Sequence, residues 1–205
     1  MIAILLNDAS FEQDIRELLM AFYPGETFTH KEEEAGEAEL IVRGVRDGNS
    51  FSLDVTPVKK ETVHFALIYP DFSNRFETKN EIKQTLYRLL SAQTGRELPW
   101  GTLTGIRPTK IALTKLYDGW TDEQIETYMR ETYFTSKEKI DLSIDVAERE
   151  RRLLSTIDYE NGYSLYVGIP FCPTTCLYCS FTSFPIVKWE KRRRFLRKWN
   201  MWRSR

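Results

Sequence analysis

The position of the cysteines is the strongest constraint that this sequence places on its fold. Cys172, Cys176 and Cys179 lie within eight residues of one another, and the rest of the 205-residue chain contains no cysteine. An odd number of cysteines argues against a secreted disulfide framework, and their clustering indicates a metal or cluster site. Three thiolates can hold three irons of a [4Fe–4S] cluster, which leaves the fourth iron open to a small molecule.

Two other interpretations of the spacing stay open. Steps of four and three residues also place thiols on one helix face, where they would be small buried apolar groups. Zinc is the second alternative, although it usually takes four ligands in paired units. Pro170 and Pro173 favour a loop that follows a strand, because proline is tolerated only in a helix's first turn. His30 and His64 lie more than 100 residues upstream, and we expect them to be ordinary surface or strand residues.

The composition excludes several classes of protein. Apolar residues make up 41% of the chain and aromatic residues 13%, which excludes a disordered protein. No apolar run reaches the roughly 18 residues that span a bilayer, and the apolar N-terminal stretch is too short for a signal peptide. We therefore expect a soluble, cytoplasmic protein that does not contact a membrane.

The sequence predicts the α/β class, and its first 160 residues predict an α+β module. The apolar run 2–6 predicts a buried strand, and Ser10 with Gln13 has the spacing of a capping box for a helix that ends near Phe22. The acidic stretch 31–39 indicates a solvated linker. Further strands are predicted at 38–46, 50–57 and 63–69, the first two forming a hairpin around Asp47, Gly48 and Asn49.

Capping signals divide the rest of this module into helices. They predict helices over 79–94, 108–118, 122–132 and 136–156, and they place N-terminal caps at Thr78, Thr121 and Thr135. The expected core positions of the last helix are Ile140, Ile144, Ala147, Leu153 and Leu154. A β-rich stretch over 163–169 then leads directly into the cysteines.

The cysteine segment resembles a known family. The pattern CX3CX2C, with Tyr178 before the last cysteine, is similar to the signature of radical S-adenosylmethionine (SAM) proteins. The string YVGIPFC over 166–172 resembles the oxygen-independent coproporphyrinogen III oxidase/dehydrogenase family. The string PWGTLTGIRPTK over 99–110 resembles the N-terminal module of one branch of it.

This resemblance implies a cofactor, a reaction and partners. Cys172, Cys176 and Cys179 would bind a [4Fe–4S] cluster, and the open iron would chelate SAM, with Tyr166 and Tyr178 close to it. An electron, from a donor such as flavodoxin or ferredoxin, would split SAM to a 5′-deoxyadenosyl radical. That radical would start the oxidative decarboxylation of coproporphyrinogen III to protoporphyrinogen IX, a step of haem biosynthesis.

Two positions depart from the family pattern. Gly168 stands where the family has a histidine, and Phe181 stands where the decarboxylases have a further cysteine. The second departure is closer to family members that handle haem without an established decarboxylation. A haem-binding or haem-transfer protein on the same scaffold is therefore the alternative function.

The C-terminal stretch does not continue as a barrel. A radical SAM core resembles a partial (β/α) barrel of about six units, each of roughly 30 residues. Only the first strand and the cluster loop of such a barrel fit into 161–187. The following segment, 188–205, has a net charge of +8, whereas residues 1–187 have a net charge of −9. We interpret this tail as a frameshifted or artificial end and expect the chain alone to be inactive. The alternative is a basic amphipathic helix, although no motif supports nucleic-acid binding.

The segment 104–110 is a second candidate site. It is a glycine-containing loop that leads into a helix and carries Arg107 and Lys110, so it could receive a phosphate or carboxylate. It lacks the spacing of a P-loop. The simpler interpretation is an ordinary helix start with basic side chains at the surface.

Overall fold

The computed structural model describes residues 1–58, 63–105, 107–158, 161–163, 165, 168, 171–172 and 184–185. The chain divides into two compact units, Met1–Ile157 and Asp158–Arg205. Within the described ranges, no helix combines the length and the apolar character needed to cross a membrane. The basic tail 188–205 lies outside the described residues.

The first unit contains a five-stranded mixed sheet. Its order is β2-β1-β3-β4-β5, with β1 parallel to both β2 and β3, whereas β3, β4 and β5 run antiparallel. The mixed α/β class is therefore confirmed. The predicted hairpin is also present, with Asp47 paired to Ser50 across a two-residue turn. The strands are β1 (Ile2–Leu6), β2 (Phe28–Thr29), β3 (Leu40–Asp47), β4 (Ser50–Pro57) and β5 (His64–Ile68).

Five α-helices complete this unit and form two apolar cores. Side chains of α1 and α2 cover one face of the sheet, where Phe22 of α1 and Leu86 of α2 are fully buried in the same cluster as Phe51 of β4. The other three helices pack on one another around Ala112, Met129 and Ile140. The helices are α1 (Glu12–Phe22), α2 (Arg75–Thr94), α3 (Thr109–Tyr117), α4 (Asp122–Tyr133) and α5 (Lys137–Leu154).

Several predicted caps are wrong, although the helices that they mark are present. The cap of the 3₁₀ turn before α1 is Asp8, which accepts from the Ser10 amide, and α2 begins one turn early at Asn74. Thr78 instead points inward and donates to the carbonyl of Asp71 at 2.7 Å. Ser136, and not Thr135, caps α5. The Thr121–Gln124 capping box of α4 is confirmed.

Two burial predictions are also wrong. The stretch 31–39 is not a free linker, because a 3₁₀ helix over Glu32–Glu37 packs Ala35 and the following Ala38 against Ala3 and Leu5 of β1. Small side chains allow this close approach while the glutamates stay in water. At the other end of the unit, Leu153, an expected core position, is 68% exposed.

The described part of the second unit is small. Two short strands, β6 (Phe171–Cys172) and β7 (Phe184–Pro185), pair in parallel. The predicted strand over 163–169 is not seen at Tyr163, Leu165 or Gly168, and the first two side chains are largely exposed. The remaining four residues of that stretch lie outside the described residues. That 161–187 begins a radical SAM domain stays a prediction.

The connection from α2 to α3 provides a stability test. Gly101 has a φ of 56°, and a Cβ there would overlap the carbonyl oxygen of Tyr133. We expect Gly101→Ala to cost about 3 kcal/mol or more, because backbone strain and overpacking add. Gly119→Ala is the matched control, since Gly119 also has positive φ but has open space around it, and should cost about 1 kcal/mol. Chemical denaturation measures both, and equal losses would contradict the packing argument.

The Asp8 cap predicts a pH dependence. Hydrogen bonds from Ser10 and the guanidinium of Arg46 lower the pKa of Asp8 to about 2. A carboxyl whose folded pKa lies below its unfolded value stabilises the protein above about pH 4 and loses this effect as the pH falls towards 2. Asp8→Asn keeps a capping oxygen and removes the charge, so it should flatten the stability profile there by about 1 kcal/mol. Parallel profiles of variant and parent would refute this.

Candidate functional site

The structure describes one residue of the predicted cluster site. Cys172 is a free, partly exposed thiol at the carboxyl end of β6, where it pairs with Pro185 of β7. Catalytic and cofactor-binding residues commonly lie at the carboxyl ends of parallel strands. The other predicted site residues, Cys176, Cys179, Tyr166 and Tyr178, lie outside the described residues. Their grouping around Cys172 stays a prediction.

The donor set of this segment suits iron. Three thiols within eight residues match the ligand type and number of a cluster with one open iron, whereas a structural zinc site usually needs a fourth donor. Across the described ranges, no three His, Cys, Asp or Glu side chains are grouped so that they could hold a metal ion. His30 Nδ1 lies 3.2 Å from the carbonyl oxygen of Ile4, and His64 lies on β5.

The first unit contains a buried polar relay that the sequence analysis missed. Lys83 on α2 is only 6% exposed, and its Nζ donates to Thr104 Oγ1 at 2.7 Å. The Thr104 hydroxyl in turn donates to Glu17 Oε2 on α1 at 3.1 Å. Burial lowers the pKa of Lys83, although the carboxylates of Asp14 and Glu17 oppose that shift. The sequence contained one signal that Lys83 is buried. It lies one turn before Leu86 and two turns before Leu90, on the same buried face of α2.

A tight connection carries Thr104 into this relay. Thr102 donates to the carbonyl oxygen of Tyr133 through its backbone N–H at 2.8 Å and through its hydroxyl at 3.3 Å. The Ser136 amide donates to the carbonyl of Pro99 at 2.9 Å. These bonds fix the segment 99–105 against the end of α4. A polar cleft of 310 Å³ results, lined by Asp14, Glu17, Lys79, Asn80, Lys83 and Thr104 among others.

A second cleft of 440 Å³ adjoins the first. Both clefts are lined by Phe76, Ile111 and Tyr133. The second cleft adds Arg107, Lys110, Thr114, Lys115 and Tyr128. It thus contains the basic residues of the segment that the sequence analysis marked as a candidate anion site.

The start of α3 offers few free backbone donors. The amides of Lys110 and Ile111 already donate to the carbonyls of Arg107 and Pro108, at 3.1 and 3.0 Å. The Arg107 side chain pairs with Glu150 and donates to Thr109 Oγ1. This geometry does not form a backbone cradle for phosphate, and it agrees with the simpler interpretation of a helix start with basic side chains.

The comparisons with known proteins agree with the family resemblance. Over 135 residues the chain is 36% identical to the oxygen-independent coproporphyrinogen-III oxidase-like protein HemZ of Bacillus subtilis (strain 168). The predicted resemblance is confirmed. The match takes in 64% of this chain and 26% of HemZ, so the chain spans about a quarter of this curated relative's length. No family model and no solved structure matches the chain.

The relay predicts a specific cost for losing one hydroxyl. Thr104→Val keeps the shape of the side chain but leaves the buried Lys83 ammonium without its hydrogen-bond acceptor. We expect a loss of about 1–3 kcal/mol in the free energy of unfolding. Thr127→Val replaces an exposed threonine on α4 and should change stability by less than about 0.5 kcal/mol. Urea denaturation compares the two variants, and equal effects would show that the relay does not stabilise the unit.

Proposed function

We propose that this chain forms part of a radical SAM protein of haem biosynthesis. The observation that carries the proposal is the trio Cys172, Cys176 and Cys179, whose spacing leaves one iron of a [4Fe–4S] cluster open. The similarity to HemZ supports the assignment to tetrapyrrole chemistry. The position of Cys172 at the carboxyl end of a strand paired in parallel also suits such a site.

The residues have distinct roles in this proposal. The three thiolates bind iron, and their number sets the open coordination position. Tyr166 and Tyr178 would lie close to SAM, with Tyr178 beside its adenine. When bound, the cluster and SAM supply one-electron chemistry that removes a hydrogen atom from the substrate.

The proposed reaction is the oxidative decarboxylation of a propionate side chain of coproporphyrinogen III. It requires an electron donor such as flavodoxin or ferredoxin, and we place it in the cytoplasm. The second candidate is a haem-binding or haem-transfer protein on the same scaffold, which the phenylalanine at position 181 favours. Haem retention without SAM cleavage by the reconstituted protein would select this second function.

Anaerobic reconstitution with iron and sulfide tests the cluster assignment. The chain should bind iron and sulfide and show a broad brown absorption at the blue end of the visible spectrum. Replacing Cys172, Cys176 or Cys179 with alanine should lower the iron content strongly, because each thiolate supplies one iron ligand. Thr174→Ala, a change at a residue between two of the cysteines, is the control and should keep the iron.

Two outcomes would contradict this assignment. One is an unchanged chromophore in the variant that lacks all three thiols. The other is a protein that retains zinc and no iron after reconstitution, which would favour the zinc interpretation of the same thiols.

A further inference from the structure

The cleft of 440 Å³ beside α3 has the size of a small-molecule site, since such sites usually measure about 300–1,000 Å³. Three helices contribute to it: α2 through Phe76, α3 through Ile111 and Lys115, and α4 through Tyr128. A site formed between packed helices is largely preformed, because its walls are held by the core of the unit.

The floor of this cleft is aromatic. The rings of Tyr128 and Tyr133 meet edge to face, with centroids 5.7 Å apart, and Trp120 contacts Tyr128 in the same way at 5.6 Å. Phe76 lies at the shared border with the neighbouring cleft and is 50% exposed. Exposed aromatic side chains beside a preformed cleft are typical of a surface that receives an apolar ligand.

The charge of the cleft has one sign. None of the described residues that line it is acidic, whereas Arg107, Lys110 and Lys115 are basic. This differs from the adjoining polar cleft, where Asp14 and Glu17 offset Lys79 and Lys83. An anion is therefore the complementary ligand.

The three cations are not equally available. Arg107 is paired with Glu150, and Lys115 lies 3.9 Å from Asp118 and 4.2 Å over the ring of Trp120. Lys110 is exposed, and within the described ranges no carboxylate lies at ion-pair distance from it. Lys110 and Lys115 both line the cleft from α3, so both are adjacent to a ligand held there.

We propose that this cleft binds a flat, apolar anion whose charge resides on carboxylates. A phosphate group fits less well, because the backbone amides of Lys110 and Ile111 at the start of α3 already donate to Arg107 and Pro108. The aromatic floor receives the ring system, and the ammonium groups of Lys110 and Lys115 bind the carboxylates through charge-assisted hydrogen bonds. The residues of the cleft predict this class of ligand independently of the proposed function. The choice of a tetrapyrrole as the probe, however, rests on the proposed function.

Titration of the full chain with coproporphyrin III, followed by porphyrin fluorescence at constant ionic strength, tests the site. Binding should saturate, and the double variant Lys110→Gln/Lys115→Gln should weaken it at least tenfold. Lys137→Gln, which removes an exposed lysine of the same unit outside the cleft, should leave affinity unchanged. Equal affinity in the double variant and the control, or the absence of saturable binding, would overturn the proposal.

Inorganic phosphate added at matched ionic strength should not displace the porphyrin, whereas displacement would overturn the assignment to an apolar carboxylate.

Failure of this proposal can be distinguished from failure of the proposed function. Iron and sulfide binding without porphyrin binding would overturn the cleft assignment alone. Porphyrin binding that depends on Lys110 and Lys115, in a chain that forms no iron–sulfur chromophore, would overturn the cluster assignment alone.

Discussion

The hydrogen-bonded segment 99–105 holds the two halves of the first unit in a fixed arrangement. One half is the sheet with α1 and α2, and the other is the packed trio of α3, α4 and α5. The segment bonds to the end of α4 through Thr102, to the N-terminal cap of α5 through Pro99, and to the first half through Thr104. Gly101 permits this contact because a side chain would occupy the space of a neighbouring carbonyl. Both clefts depend on this arrangement, since each is lined from both halves.

The buried Lys83 shows how polar groups contribute to this arrangement. An ammonium removed from water costs free energy unless acceptors or negative charges compensate it. Here the ammonium donates a hydrogen bond to one hydroxyl, and two carboxylates of α1 act over a longer distance. The relay therefore specifies a unique position for the α2–α3 connection, which apolar packing alone would define less sharply. The lysine thereby links the helix interface to the wall of the polar cleft.

The two units contribute different chemistry to the proposals. The second unit contains the cysteines, and the proposed iron–sulfur chemistry is assigned to it. The first unit contributes a preformed surface with an aromatic floor and cationic side chains. The region that matches HemZ covers about a quarter of that relative's length. A cofactor-binding segment and an anion-binding surface in one chain would suit a protein that handles an apolar polycarboxylate.

Local rules predicted most secondary structure, because alternation, capping boxes and glycine at helix ends act over a few residues. The hairpin of β3 and β4, the Thr121 cap and the C-terminal Gly95 of α2 belong to this class. The cysteine spacing is likewise a local feature, and it is the basis of the proposed cluster. Only the tertiary structure decided that Ala35 is buried against β1 and that Glu17, Lys83 and Thr104 meet. Those contacts join distant parts of the chain, and the free energy of burying or pairing a polar group depends on neighbours that local sequence does not contain.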